Sequence, residues 1–77
     1  MTVIMLTSPY CTLCATAKRM LGERVKPVNA ADRPDLLDVC ETQTLPVYLM
    51  MRDDKIVAQN HGLMPISVFE RWSAAHQ

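Results

Sequence analysis

Two cysteines separated by two residues, in the stretch Ser8-Pro9-Tyr10-Cys11-Thr12-Leu13-Cys14, are the side chains of this chain best suited to chemistry. A Cys-x-x-Cys pair can pass between dithiol and disulfide, and the species that attacks is the thiolate. The flanking residues supply the setting. An apolar, β-branched run, Val3-Ile4-Met5-Leu6-Thr7, precedes the pair, and a helix-forming run, Ala15 to Leu21, follows it and stops at Gly22. The pattern predicts a strand, a short turn and a helix, with Cys11 at or just before the first helical turn. Unpaired backbone N–H groups and the helix dipole favour negative charge there. A thiol so placed has its pKa lowered, typically to about 7 or below. Cys11 is therefore expected to be the nucleophile. Cys14, one turn further in and more enclosed, is expected to resolve the mixed disulfide, the redox-active bond being Cys11–Cys14 with no bound cofactor.

The competing readings are a structural zinc knuckle and a non-catalytic interaction module. Tetrahedral zinc needs four ligands, and the remaining candidates are Cys40, His61 and His76. No second Cys-x-x-Cys and no closely spaced histidine pair accompanies the first, so the spacing favours redox chemistry and no metal site is expected.

The elements that must position the pair fit in a chain of 77 residues, 49% apolar and 21% charged. That length predicts one domain over 1–77, burying about 60–65% of its unfolded surface. Eight basic residues balance eight acidic ones, which predicts neither a nucleic-acid partner nor an anionic membrane surface. The apolar run at the start is too short for a signal peptide or a membrane span. Three cysteines, an odd number, argue against a secreted disulfide framework and for a cytoplasmic setting. Nothing in the chain demands more than a monomer.

Thr2 to Thr7, lacking polar alternation, predicts a strand covered on both faces. Thr12 to Leu21 predicts a helix with Leu13, Ala17, Met20 and Leu21 toward the core and Gly22 as its stop. Arg24 to Asn29 predicts a strand that Pro27 confines to an edge. Asp32 is the expected cap of a second helix with Pro34 and Asp35 in its first turn, apolar positions at Leu36, Leu37, Val39 and Cys40, and an end at Thr42-Gln43-Thr44. Pro46 opens a central strand, Val47 to Met51. Asp53-Asp54 turns the chain into an antiparallel edge strand, Lys55 to Gln59, and His61-Gly62 forms the next turn. Pro65 starts a third helix with Ile66, Val68, Phe69 and Trp72 buried, and the tail from Ser73 is expected to fray. The order is β-α-β-α-β-β-α: an α/β arrangement of a four-stranded mixed sheet flanked by three helices.

Cys11-Thr12-Leu13-Cys14 after the first strand, Thr44-Leu45-Pro46 before the third and His61-Gly62 after the fourth together resemble the glutaredoxin-like members of the thioredoxin superfamily. The resemblance implies a cis Leu45–Pro46 bond lying against the cysteines, with the backbone before the proline pairing with an extended substrate. Within the superfamily, Thr44-Leu45-Pro46-Val47 and Gly62-Leu63-Met64-Pro65 are most similar to the NrdH-redoxin branch. That branch takes electrons from thioredoxin reductase and passes them to class Ib ribonucleotide reductase. Glutathione-dependent glutaredoxins, the alternative, carry a basic residue three before the first cysteine and an acidic pair after the glycine turn. Here Ser8 holds the first place, and no carboxylate follows Gly62 until Glu70. Each such charged contact with glutathione is worth on the order of 1–3 kcal/mol. The basic residue is usual in the NrdH branch too, so Ser8 by itself favours neither.

Around the pair, Tyr10 is a candidate to pack over the cysteines or meet a partner, and Thr12 and Leu13 to tune potential and access. Leu63 and Met64, with Gly62 and the residues around Pro46, complete the expected substrate surface, soft Met64 suiting varied partners. Lys18, seven residues after Cys11 and four after Cys14, falls on their side of the helix and is a candidate thiolate stabiliser. Cys40 reads as a space-filling thiol.

Overall fold

The computed structural model describes residues 2–40 and 45–76. Four strands, β1 (Thr2–Thr7), β2 (Lys26–Asn29), β3 (Val47–Arg52) and β4 (Lys55–His61), form one sheet in the order β2-β1-β3-β4. Helices α1 (Thr12–Leu21), α2 (Pro34–Asp38) and α3 (Ile66–Ala75) complete the predicted β-α-β-α-β-β-α order. β1 runs parallel to β2 and antiparallel to β3, and β3 runs antiparallel to β4. The mixed four-stranded α/β fold expected from the sequence is the one observed.

The two central strands lack polar alternation because both their faces are covered. Met5 and Tyr48 enter one core cluster with Ala17, Leu21, Val25, Met64 and Phe69. Leu6, Val47 and Leu49 enter a second with Ala30 and Leu36. Pro27 lies on the edge strand β2, where its missing N–H costs no ladder bond. Asp53 and Asp54 have φ of 51° and 65°, the left-handed pair that a tight two-residue hairpin demands and that aspartate tolerates. Gly22, with φ of 55°, closes α1 by donating its N–H to the Lys18 carbonyl.

Several boundaries and faces differ from expectation. Arg24 belongs to a 3-10 turn, Gly22–Arg24, so β2 starts at Lys26. Asp32 does not cap α2; Arg33 takes that position, paired with Asp35 at 3.0 Å, while Asn29 organises the turn before it by accepting from the Ala31 N–H at 2.9 Å. α2 ends at Asp38, because the Cys40 N–H closes back on Leu37 at 3.2 Å in a tighter, non-α turn. Val39 is consequently exposed. The expected helix end at Thr42-Gln43-Thr44 lies outside the described residues.

On α1 the buried stripe is Cys14, Ala17 and Leu21, and Leu13, one position out of phase with it, is 44% exposed. β4 runs two residues further than expected, so His61 pairs with Val47 and only Gly62, with φ of 83°, makes the turn. Pro65 caps α3 from outside it. That helix meets the core through Phe69 and Trp72, one turn apart, leaving Ile66 and Val68 exposed. Its helical backbone continues through Ser73 to Ala75. Among the described residues no helix is long and apolar enough to cross a membrane.

Candidate active site

The sheet register gathers the distant motifs at one end of the molecule. Leu6 lies opposite Val47 in the β1–β3 ladder, and Val47 opposite His61 in the β3–β4 ladder. The loop after β1, the residues before β3 and the residues after β4 must therefore meet. Gly62 donates its N–H to the Pro46 carbonyl at 2.9 Å, tying the last two together. The Leu45–Pro46 peptide is cis, as the resemblance implied. Thr44 lies outside the described residues.

The loop that carries the cysteines closes on Ser8. The Ser8 hydroxyl accepts from the Tyr10 N–H at 3.2 Å, and its carbonyl accepts from the Cys11 N–H at 3.1 Å. Cys11 is then the N-cap of α1: its backbone is extended, and its Sγ accepts the Cys14 N–H at 3.3 Å. Sulfur here fills the place that a serine or aspartate oxygen takes at most helix starts. On its other side the Cys11 thiol faces the Leu45 carbonyl at 3.9 Å. Both cysteines are free thiols, Cys11 partly exposed and Cys14 buried.

This geometry drives the two thiols apart in acidity. Cys11 is held below the ordinary thiol range, first by its hydrogen bond with the Cys14 side chain; partial burial opposes this, and the backbone N–H groups of Cys14 and Leu13 add to it. Cys14 is pushed up to about 11, chiefly by burial and then by the hydrogen bond with Cys11, which favours its protonated form. The helix start thus contributes at Cys11 as its position in the sequence suggested, but the partner thiol contributes more.

The remaining candidate residues divide. Tyr10 is 93% exposed and does not pack over the pair, because the Ser8 turn directs it outward. Thr12, Leu13 and Leu63 are exposed beside the site. Met64 is not on that surface: it is 3% exposed, packs in the core with Tyr48 and Phe69, and its sulfur accepts from the Asn60 side chain at 3.2 Å. Lys18 is exposed, and its charge is the least of the influences on Cys14, lowering its pKa; it is not among the causes acting on Cys11.

Cys40 lies across the sheet, where its Sγ donates to the Leu36 carbonyl at 3.1 Å and packs against the second cluster. Among the described residues no three His, Cys, Asp or Glu side chains gather closely enough to hold a metal ion. One buried polar group escaped the sequence reading, which took Tyr48 simply as part of a central strand. Its side chain is fully buried, and its hydroxyl makes no hydrogen bond of good geometry among the described residues, the Met64 backbone N–H acting on it only weakly.

The same arrangement of strands and helices occurs in known proteins. Thioredoxin NaTrxh from Nicotiana alata superposes with a TM-score of 0.75 at 15% identity, over 99% of this chain and 72% of that one. Mitochondrial thioredoxin 3 from Saccharomyces cerevisiae, in its oxidised form, gives 0.74 at 17% identity over 95% and 76%. This is a thioredoxin-like fold. The thioredoxin of Malassezia sympodialis, an allergen, has the same fold, with a TM-score of 0.75 at 14% identity over 97% of this chain and 73% of that one. At these identities the likeness is one of fold. No protein-family model and no curated protein sequence matches the chain.

Proposed function

We propose that this protein is a dithiol–disulfide oxidoreductase that reduces disulfides in other proteins. The observation that carries the reading is the unequal pair: a partly exposed Cys11 with lowered pKa capping α1, and a buried Cys14 with raised pKa bonded to it. The Cys11 thiolate attacks one sulfur of a substrate disulfide. A Cys11–substrate disulfide forms, and the other substrate sulfur leaves as a thiolate and takes up a proton. Cys14 then loses its proton and attacks the Cys11 sulfur. The Cys11–Cys14 disulfide forms, and the second substrate sulfur leaves. Two electrons pass from the pair to the substrate, and no bound cofactor takes part. The Leu45 backbone beside Cys11 and the cis proline after it suit an extended substrate strand. Tyr10, Thr12, Leu13 and Leu63 form the exposed surround that a protein partner meets.

The electron source in this reading is thioredoxin reductase, and the substrate is a protein such as class Ib ribonucleotide reductase, as in the NrdH-redoxins. Ser8 is neutral, and both of its oxygens are engaged in the turn, which weakens a glutathione site without favouring either branch. The feature that supports the reading over glutathione is the lack of a carboxylate pair after Gly62. Glu70, the first carboxylate after Gly62, faces Arg24 at 3.8 Å, beyond the far end of α1 from the cysteines. A monomer working in the reducing cytoplasm, with 1–77 as one unit, fits this role.

The test is NADPH consumption with a disulfide substrate in two arms, one with thioredoxin reductase and one with glutathione and glutathione reductase. Activity in the first arm alone is expected. Activity in the second alone would assign a glutaredoxin, and silence in both would remove the oxidoreductase reading.

A further inference from the structure

A cavity of about 240 Å³, lined by Thr7, Ser8, Pro9, Lys18, Pro27 and Asn29, opens between α1 and the edge strand β2. The β1–β2 register brings these residues together. Thr7 lies opposite Asn29, and Met5 opposite Pro27. Side chains two apart on a strand share a face, and Met5 packs in one cluster with Ala17 and Leu21 of α1. Thr7, Pro27 and Asn29 therefore lie on the α1 side of the sheet. Lys18 follows Ala17 on that helix, one turn after Cys14. Ser8 belongs to the turn whose carbonyl accepts the Cys11 N–H at 3.1 Å. The turn before Cys11 and the helix after Cys14 thus fix this cavity beside the redox pair.

The lining has spent its acceptors and kept its donors. Asn29 Oδ1 accepts from the Ala31 N–H at 2.9 Å, which leaves the Nδ2 hydrogens to give. Ser8 Oγ accepts from the Tyr10 N–H at 3.2 Å, which leaves its own hydrogen to give. Thr7 is only 6% exposed, and its hydroxyl makes no hydrogen bond among the described residues. A polar group buried that far takes a partner, and the space on which Thr7 opens is this cavity. Lys18 adds a cation with three donors; no carboxylate lines the cavity, and among the described residues none pairs with that lysine. Pro9 and Pro27 wall the space with rigid rings that carry no N–H. Free donors and one positive charge are the complement of an oxyanion. The volume falls below the roughly 300–1,000 Å³ of pockets that enclose larger ligands, so it suits a single anionic group.

We propose that this cavity is an oxyanion site, binding one carboxylate or phosphate group beside the redox pair. Its use in substrate choice rests on the disulfide-exchange reading above: an acidic side chain adjoining the substrate disulfide docks on Lys18 and the Thr7, Ser8 and Asn29 donors while Cys11 attacks. Glutathione also asks for the carboxylate pair that the chain lacks after Gly62, so the site suits a polypeptide. The same chemistry has a second source, free phosphate, and the test separates the two.

The first measurement is an NMR titration of the reduced, isotope-labelled full chain with inorganic phosphate at constant ionic strength. Saturable shifts are expected at Thr7, Ser8, Lys18 and Asn29, with Cys40 unmoved as the internal control. Lys18→Gln should weaken binding at least about tenfold, the loss of a charged contact, and Thr7→Val about fivefold, the loss of a neutral one. Absence of saturable shifts, or an affinity unchanged in Lys18→Gln, overturns the proposal. Lys18 is exposed, so its variant tests the site even if the buried Thr7→Val does not fold. The second measurement compares kcat/KM for two disulfide peptides that differ only in glutamate against glutamine beside the attacked cysteine. A preference of about tenfold for the glutamate peptide, lost in Lys18→Gln, assigns the site to the substrate. Phosphate binding with no such preference assigns it to a free anion, and a preference that persists in Lys18→Gln overturns the substrate role. The phosphate titration needs no disulfide exchange, so failure of the parent reading shows separately, as silence in both NADPH arms.

Discussion

Cys11 and Cys40 are the same residue at opposite ends of two helices, and the difference in their surroundings is the difference between a reagent and a filler. At the start of α1 the Cys11 sulfur receives an N–H, from Cys14 at 3.3 Å. Beyond the end of α2 the Cys40 sulfur gives its hydrogen to a carbonyl, that of Leu36 at 3.1 Å. Free N–H groups at a helix start stabilise a thiolate, whereas free carbonyls at a helix end stabilise a thiol. The pKa values follow: Cys11 is lowered, with its partner thiol as the leading cause, and Cys40 is raised by burial. Chain length matters as well. α1 has ten residues and a partner thiol one turn in, whereas α2 has five and no side-chain cap.

The strongest way to break this comparison is to exchange the two sulfurs for oxygen. Cys11→Ser should reduce NADPH-coupled disulfide reduction to the uncatalysed background, while Cys40→Ser should stay within about twofold of the parent, since a partly buried serine in its place can still bond to Leu36. Retained activity in Cys11→Ser would sink the mechanism. Cys14→Ser should keep the first attack and lose the second, so that a covalent complex with a protein substrate accumulates on a non-reducing gel; rapid release from that variant would deny Cys14 its resolving role.

A subtler contrast is alkylation of the reduced protein near neutral pH. Iodoacetamide should modify Cys11 at least about tenfold faster than Cys40, because the thiolate fraction falls tenfold for each unit by which the pKa exceeds the pH. Equal rates would mean that the helix start confers nothing. The smallest effect is on stability. Cys14 rises from 9.0 to about 11 and Tyr48 from 10.0 to about 12, so the folded state binds these protons more tightly than the unfolded state. The stability they contribute is complete below pH 9 and is lost as pH rises toward 11 and then 12. Cys11 has the opposite sign, its contribution being present above the unfolded-state pKa and lost as pH falls through its lowered folded value. The stability of the reduced protein against chemical denaturant should therefore fall steadily above pH 9, and a flat profile would contradict both assignments.

What the sequence determined by itself is the local grammar. The order of elements, the cap position of Cys11, the stop at Gly22, the edge placement of Pro27 and the Asp53-Asp54 hairpin all follow from short-range sterics, unpaired backbone groups and apolar periodicity. What the tertiary structure decided is which side each borderline residue takes. Leu13 and Met64 are both apolar and both flank the site, yet one is out and the other in. Arg33 took the cap position of α2 from Asp32, and ladder pairing with Val47 drew His61 into β4. Tyr48 reads in the sequence as one more strand aromatic; only the packing of α1 and α3 on β3 buries it wholly against Ala17, Phe69 and Trp72. Such choices depend on the register between strands and the packing of helices on them, and those contacts join residues too far apart in the chain for any local pattern to record.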